Sequence, residues 1–212
     1  MGGFLDSLQR GYTIKDVSKR LGLLYFGVVD YRQDDHEVIR GLTVSTTHRD
    51  KHYAVGSYDG YDIAMVDRYD QSKDGTKSIR HNWCIIQISL HAPQSIPHVF
   101  VLPHDRSGRF AHLFVGLRHL QVIHDLTEQQ YSSEFTDRYN LNAPPHQALE
   151  VERWISPSVA LGIAARFWPH AIEIRDGKLY VYITEHRLDE AVLGGAIASA
   201  LWLAEIIDQT AA

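Results

Sequence analysis

Three Asp-Gly pairs, at residues 59–60, 74–75 and 176–177, constrain this chain more than any other feature of it. A two-residue type I′ hairpin needs positive φ at both central positions, and Asp-Gly is among the few dipeptides that supply it. Two of the pairs sit between β-rich runs: Asp59-Gly60 joins 53–58 to 61–69, and Asp176-Gly177 joins 171–175 to 178–184. Asp74-Gly75 lies in a polar link before the run 79–90. The runs alternate as half-buried strands do. Ile63 and Met65 share one face while Asp62 and Ala64 share the other, and Ile172 and Ile174 oppose Leu179, Val181 and Ile183. The pattern predicts an antiparallel meander rather than βαβ units.

Further elements complete the expectation. Leu23-Leu24-Tyr25-Phe26-Gly27-Val28-Val29 reads as a strand. Pro97-His98-Val99-Phe100-Val101-Leu102-Pro103 reads as a short strand bracketed by prolines, which places it at a sheet edge. Phe110, Leu113, Phe114 and Leu117 repeat at helical spacing, predicting a helix over 109–116, and the alternation from His119 to Ile123 predicts a strand over 119–124. Thr13 followed by Asp16 resembles a helix start, so a helix is expected over 14–21 with Gly22 as its stop. Residues 147–154 read as a short helix. Ser156-Pro157 is a strong start for the next one, serine at the cap and proline at the first helical position, with Pro169 ending it. The fold class expected is α+β: an antiparallel β-meander packed by several helices, including a C-terminal one.

The last helix is expected over 189–207. Asp189 and Glu190 suit its first turn, where the helix dipole favours acids. Leu193, Ile197, Ala200, Leu201 and Ala204 form one apolar face. Gly194 and Gly195 inside a helix each cost roughly 1 kcal/mol relative to alanine. Close packing of Gly194 and Ala198 against a neighbouring element would recover that cost, so enlarging Gly194 is expected to overpack the core. The bland reading is a buried core helix; a helix that binds a partner or lies on a membrane is the alternative.

With 212 residues, 44% hydrophobic and 22% charged, the chain can bury a core without disulfide or metal. The expectation is a single α+β domain over 1–212, with a weak bilobed boundary near 127–145 where polar residues and Pro144-Pro145 cluster. A net charge of −5 gives no pull toward nucleic acid. Cys84 is the lone cysteine and sits in the apolar run Trp83-Cys84-Ile85-Ile86, so it reads as a small core residue rather than a nucleophile. His81, three residues before it, would point to the opposite face of a strand. The first 20 residues carry charges at Asp6, Arg10, Lys15, Asp16, Lys19 and Arg20 and show no secretion signal. The longest uncharged apolar stretch, 191–204, is shorter than the about 20 residues that span a bilayer. A cytoplasmic location, at most peripheral to a membrane, is expected.

The segments Phe135-Thr136-Asp137-Arg138-Tyr139-Asn140-Leu141-Asn142-Ala143-Pro144, Ile155-Ser156-Pro157-Ser158-Val159-Ala160-Leu161 and Ile172-Glu173-Ile174-Arg175-Asp176-Gly177-Lys178-Leu179-Tyr180, with Arg20-Leu21-Gly22 closing the first helix, together resemble a family of uncharacterised bacterial proteins. The resemblance is structural: a phenylalanine, an extended segment, a serine-proline helix, then a β-hairpin. It implies no catalytic or binding residues. Similar domains in other bacteria are attached to membrane helices.

Chemistry has few places to sit. Thirteen histidines are unusually many. His48 and His52, four apart, flank an expected turn; His112 and His119 would share a face only if 109–124 were one helix, with His124 beside Asp125. No HExxH, paired CxxC or His-carboxylate facial set occurs. His104-Asp105-Arg106-Ser107-Gly108-Arg109 offers arginines before an expected helix, as an anion site would, yet lacks a full phosphate loop. No GxSxG elbow is present. Among Asp59, Asp62, Asp67, Asp70 and Asp74, Asp62 and Asp70 face the same way on a strand and Asp67 faces opposite, which reads as the solvated face of an antiparallel sheet rather than paired catalytic carboxylates. Tyr53, Tyr58, Tyr61 and Tyr69 concentrate on one hairpin, as cross-strand pairs or as a binding face. No catalytic, cofactor-binding or metal residue is assigned, and no cofactor is expected. The leading expectation is a non-enzymatic soluble domain that binds another protein. The alternatives are a histidine-dependent metal-binding protein or metallohydrolase, and a membrane-surface-associated protein.

Overall fold

The computed structural model describes residues 2–28, 49–74, 77–92, 96–104, 119–184 and 188–211. In chain order the elements are α1 (Gly2–Arg20), β1 (Leu24–Val28), β2 (Arg49–Tyr58), β3 (Tyr61–Asp74), β4 (Lys77–Ser89), β5 (Val99–Pro103) and β6 (Gln121–Val122). They continue with α2 (Ser133–Thr136), β7 (Tyr139–Ala143), α3 (Ala148–Trp154), α4 (Pro157–Phe167), β8 (Ala171–Arg175), β9 (Lys178–Ile183) and α5 (Glu190–Ala211). The strands form one sheet in the order β1-β2-β3-β4-β9-β8-β5-β7-β6, every described neighbour pair antiparallel. The fold is α+β, as the sequence predicted.

The Asp-Gly turns form as their chemistry requires. Asp59 and Gly60 have φ of 52° and 81°, and Asp176 and Gly177 have 52° and 71°, the paired left-handed conformations of a type I′ turn. Asp74 faces Lys77 across the β3–β4 ladder, so that polar link is a hairpin as well; Gly75 lies outside the described residues. The meander ends at β4. The β8–β9 hairpin does not follow it at an edge but inserts between β4 and β5. Both inserted strands are buried over most of their length, which fits a central position.

Two expectations about element placement are corrected. The 97–103 run is not at an edge: β5 lies between β8 and β7 and is buried throughout. Its proline is tolerated because the β8 ladder covers Val99 to Val101 and stops short of Pro103. The first helix starts at Gly2, not at residue 14, and Thr13 is no cap. Its hydroxyl donates instead to the Leu188 carbonyl at 3.1 Å, ahead of α5. Gly22 does end the helix region, at φ 73°. The helix expected over 109–116 lies outside the described residues. Of the strand expected over 119–124, residues 121–122 pair with β7. Ser156 caps α4, accepting from the Val159 amide, as predicted.

The helices pack on one sheet face. Ile14, Val17, Phe135, Val151, Ile163, Phe167, Leu193, Ile197 and Ile207 join Ile63, Met65, Cys84 and Ile86 in a continuous core. A second cluster, with Trp83, Phe100, Tyr180 and Tyr182, occupies the opposite face. The polar stretch around 127–145 is tied to the rest. Buried Glu152 accepts from the backbone amides of Glu128 and Gln129 at 3.2 and 2.7 Å, and Tyr131 donates to the Ile155 carbonyl at 2.7 Å.

Ion pairs dock α1. Arg10, 2% exposed, holds Asp67 of β3 through Nη2 at 2.6 Å and Nε at 3.0 Å. Arg68 binds Asp50 with both Nε and Nη2, at 2.8 and 2.9 Å. A β-bulge in β2 sets His52 at φ 54°, with its Nδ1 2.7 Å from the Tyr25 hydroxyl. A Cβ on Gly11 would collide with the His52 ring, so the glycine permits the close approach of α1 to the sheet.

Gly60→Val is expected to destabilise the protein by about 1–2 kcal/mol through backbone strain alone, since a valine resists positive φ and the site has open space around it. Denaturant unfolding measures it. A second expectation concerns pH. Burial holds the His170 imidazole down to about 4, and among the described residues its Nδ1 has no hydrogen-bond partner. An unfolded histidine titrates near 6.5, so the unfolded state binds the proton more readily. The contribution is therefore complete above about pH 6.5 and is lost as pH falls toward 4, on the order of 2–3 kcal/mol. His170→Gln should flatten the fall of the melting midpoint across that window.

Candidate functional site

A groove of about 740 Å³ opens on the helix side of the molecule. Three elements build it. The C-terminal end of α1 supplies Val17, Arg20 and Leu21; the β2–β3 turn supplies Tyr58, Asp59 and Tyr61; α5 supplies Gly194, Ile197, Ala198, Leu201, Trp202 and Glu205. The type I′ turn is what aims both tyrosines, because Tyr58 and Tyr61 face each other as the closing pair of the hairpin. Trp202 is seated by Arg166, whose guanidinium carbon lies 4.7 Å from the ring centroid, and by Gly162, where a side chain would run into the indole.

The floor is apolar and the rim is acidic. Arg20 is spoken for, bonding Glu190 at 2.7 Å. Asp59 and Glu205 remain exposed at the groove. Tyr61 reports the local field: burial, a hydrogen bond to Asp208 and the carboxylates of Asp208, Glu205 and Asp59 push its phenol up to about 12. Its ring stacks on His91 at 4.8 Å, and His91 Nδ1 lies 3.4 Å from Asp208. Asp208 also accepts from the Ala92 amide at 2.7 Å, so this cluster fixes the segment after β4 to α5.

Gly194 corrects an expectation. A Cβ there, or on Gly195, meets no described atom within 4 Å. Among the described residues, the two glycines are not packed against a neighbouring element. The opposite face of α5 does pack: Leu193, Ile197, Ala200 and Ala204 are buried in the core as their spacing predicted, whereas Leu201, expected on the same face, is half-buried and lines the groove. The helix also runs on to Ala211. By length and composition its 22 residues could cross a membrane, since its most apolar 18-residue window has mean hydropathy 1.6, but 44% of that window is buried in the molecule.

The other sequence-derived positions scatter. His48 and His112 lie outside the described residues, so neither spaced pair is placed. His52 stands in a strand rather than a turn, because the chain is already paired from Arg49 onward. Among the described residues no group of three His, Cys, Asp or Glu side chains could hold a metal ion. His124 lies 3.8 Å from Asp125. Of the 104–109 segment only His104 is described; its amide donates to the Arg138 carbonyl at 2.7 Å. Asp67 is not on a solvated face, since Arg10 claims it; Asp62 is exposed and accepts from the Ser57 hydroxyl. The side chains of Asp70, Asp74 and His81 lie outside the description. The tyrosines do not form one face. Tyr53 is buried in the second cluster, while Tyr58 and Tyr61 meet at the groove.

One arrangement has no signal in the sequence. Glu173 on β8, 1% exposed, is bonded by the Tyr182 hydroxyl and by His98 Nε2 at 3.0 Å. The other ring nitrogen of His98 faces His119 Nε2 at 3.4 Å. Glu173 and Tyr182 share the β8–β9 hairpin, but His98 and His119 come from two other segments, so no local spacing could have joined all four.

No family model matches the chain, and no curated protein matches it by sequence. Among solved structures, the crystal structure of the mycobacterial trehalose monomycolate transport factor A, TtfA, is similar in fold. The TM-score is 0.62 at 9% identity, with 93% of each chain covered. That likeness extends to the fold alone. The bacterial family described above stays a resemblance.

Cys84 is fully buried beside Met65 and Ile86, and burial pushes its thiol up to about 12. Thiolate attack is thereby suppressed. Labelling of the native protein by a thiol reagent is expected to be slow and to become stoichiometric only in denaturant; fast native labelling would contradict the placement.

Proposed function

We propose that this chain is a non-catalytic binding domain whose partner is a protein presenting an apolar helix flanked by basic residues. The groove between α1, the β2–β3 turn and α5 carries the reading. Its floor of Val17, Leu21, Ile197, Leu201 and Trp202 suits an apolar side-chain stripe, and helix-in-groove docking is a common way to bury one. Its uncompensated charges, Asp59 and Glu205, complement a cationic flank. Gly194 leaves room for a helix backbone to come close along α5, which gives the helix-weakening glycine a reason. The neighbour's description as a transport factor supports a factor over an enzyme. The apolar composition of α5 favours a second reading, contact with a membrane surface.

One variant separates these. Gly194→Leu projects into the groove from a position where a Cβ meets no described atom within 4 Å. The melting midpoint is expected to stay unchanged or rise, as leucine is the better helix former. A synthetic leucine-lysine amphipathic helix should bind the wild-type protein and lose about tenfold or more in affinity for the variant, roughly 1.4 kcal/mol. A leucine-glutamate helix should bind more weakly than the lysine one. A lowered midpoint returns Gly194 to the core, and equal peptide binding by both proteins overturns the groove as the site. Flotation with anionic vesicles that survives the substitution while peptide binding is absent would favour the membrane reading instead.

A further inference from the structure

The geometry points to a two-histidine site for a borderline divalent metal ion, Zn²⁺ in the first place, formed by His98 Nδ1 and His119 Nε2. It lies on the sheet face opposite the groove, since Glu173 is in register with Phe100 and Tyr180 of the second cluster. Its failure would therefore leave the groove reading untouched.

Protons determine what His98 presents. An ionised carboxylate only accepts hydrogen bonds. Glu173 takes one from the Tyr182 hydroxyl and one from His98 Nε2, so the His98 proton sits on Nε2. Its lone pair is then on Nδ1, aimed at His119. A carboxylate behind an imidazole, fixing its tautomer and raising its basicity, is the usual outer support of a histidine metal ligand. Here that support is itself held: Glu173 is 1% exposed and His98 is 13% exposed.

Distance points the same way. A good hydrogen bond from a ring N–H spans about 2.7–3.2 Å. The two nitrogens are 3.4 Å apart. Two nitrogens each bonded at about 2.0–2.1 Å to one tetrahedral ion stand about 3.4 Å from each other. In the metal-free protein this contact is a long hydrogen bond between the rings; with the ion bound, His119 would ligate through Nε2 and carry its proton on Nδ1. Imidazole pairs suit zinc, copper and nickel, while calcium and magnesium want oxygen. With two described protein ligands the site is an open one, its remaining positions available to water or a small ligand, as distinct from a closed structural site.

The test uses tag-free full-length protein, stripped with chelator and titrated with zinc sulfate at pH 7.5 by calorimetry. One equivalent of Zn²⁺ is expected to bind more tightly than any remainder. His119→Ala, at an exposed position where folding is not at stake, should weaken that equivalent by tenfold or more. His91→Ala, another exposed histidine, should leave it unchanged. Glu173→Gln, folded by circular dichroism, should weaken it by about 10–100-fold, the usual effect of losing an outer-shell partner. No Zn²⁺ binding below millimolar, or binding that survives His119→Ala, overturns the assignment. So does equal loss in His91→Ala, which would mark scattered surface histidines as the acceptors.

Discussion

The Arg10–Asp67 ion pair fixes where everything on the helix side stands. Asp67 is an inward residue of β3, and the 2% exposed Arg10 reaches it from α1, which lies over β1 and β2 with Gly11 against His52. Replacing such a pair by apolar residues often changes stability little, whereas removing one partner leaves a buried charge and costs about 3–5 kcal/mol. Its value here is positional. Once Arg10 is anchored, the following turns of α1 carry Val17, Arg20 and Leu21 to the side of α5, and Arg20 closes on Glu190. The groove is thus the space left when an electrostatically registered helix meets a hydrophobically registered one.

The two sides of α5 show that division of labour. On one side Leu193, Ile197, Ala200, Leu203, Ala204 and Ile207 are buried against the sheet and hold the helix in place. On the other, Gly194, Ala198, Leu201 and Trp202 line the groove. Helix propensity argues against Gly194 and Gly195, and core packing gives them no compensation within the described residues. The groove and the His98–Glu173 cluster lie on opposite faces of one sheet, so either can be altered without passing through the other.

Local chemistry was legible in the sequence where a residue type is demanded by backbone conformation. Asp59-Gly60 and Asp176-Gly177 need left-handed φ, Gly22 needs it at the end of α1, and Ser156-Pro157 satisfies the first turn of α4. Position within the sheet was not legible. Val99-Phe100-Val101 alternates little and its flanking prolines suggest an edge, yet where a strand lies depends on which partners arrive on either side. The start of α1 was missed because Gly2, Gly3 and Gly11 lower helix propensity ahead of Thr13, and the Arg10 that anchors it has its acceptor 57 residues away. Of the groove, the tyrosine-rich hairpin and the small residues of α5 were visible, but not that they meet. The His98–His119 pair was invisible because spacing within a segment says nothing about residues brought together by the sheet.

The insertion of β8 and β9 also sets an order of assembly. β4 and β5 are near in sequence but share no ladder; a hairpin from residues 171–183 stands between them. The meander β1–β4 and the set β5-β7-β6 are consequently two separate ribbons until that hairpin exists. During synthesis both would wait with their inner edges unpaired, and an unpaired strand edge is a template for another chain. The hairpin carries its own nucleus in Asp176-Gly177, a local turn that forms quickly without help from the rest. It acts as a keystone made late and made fast, shortening the interval in which two open edges face the cell.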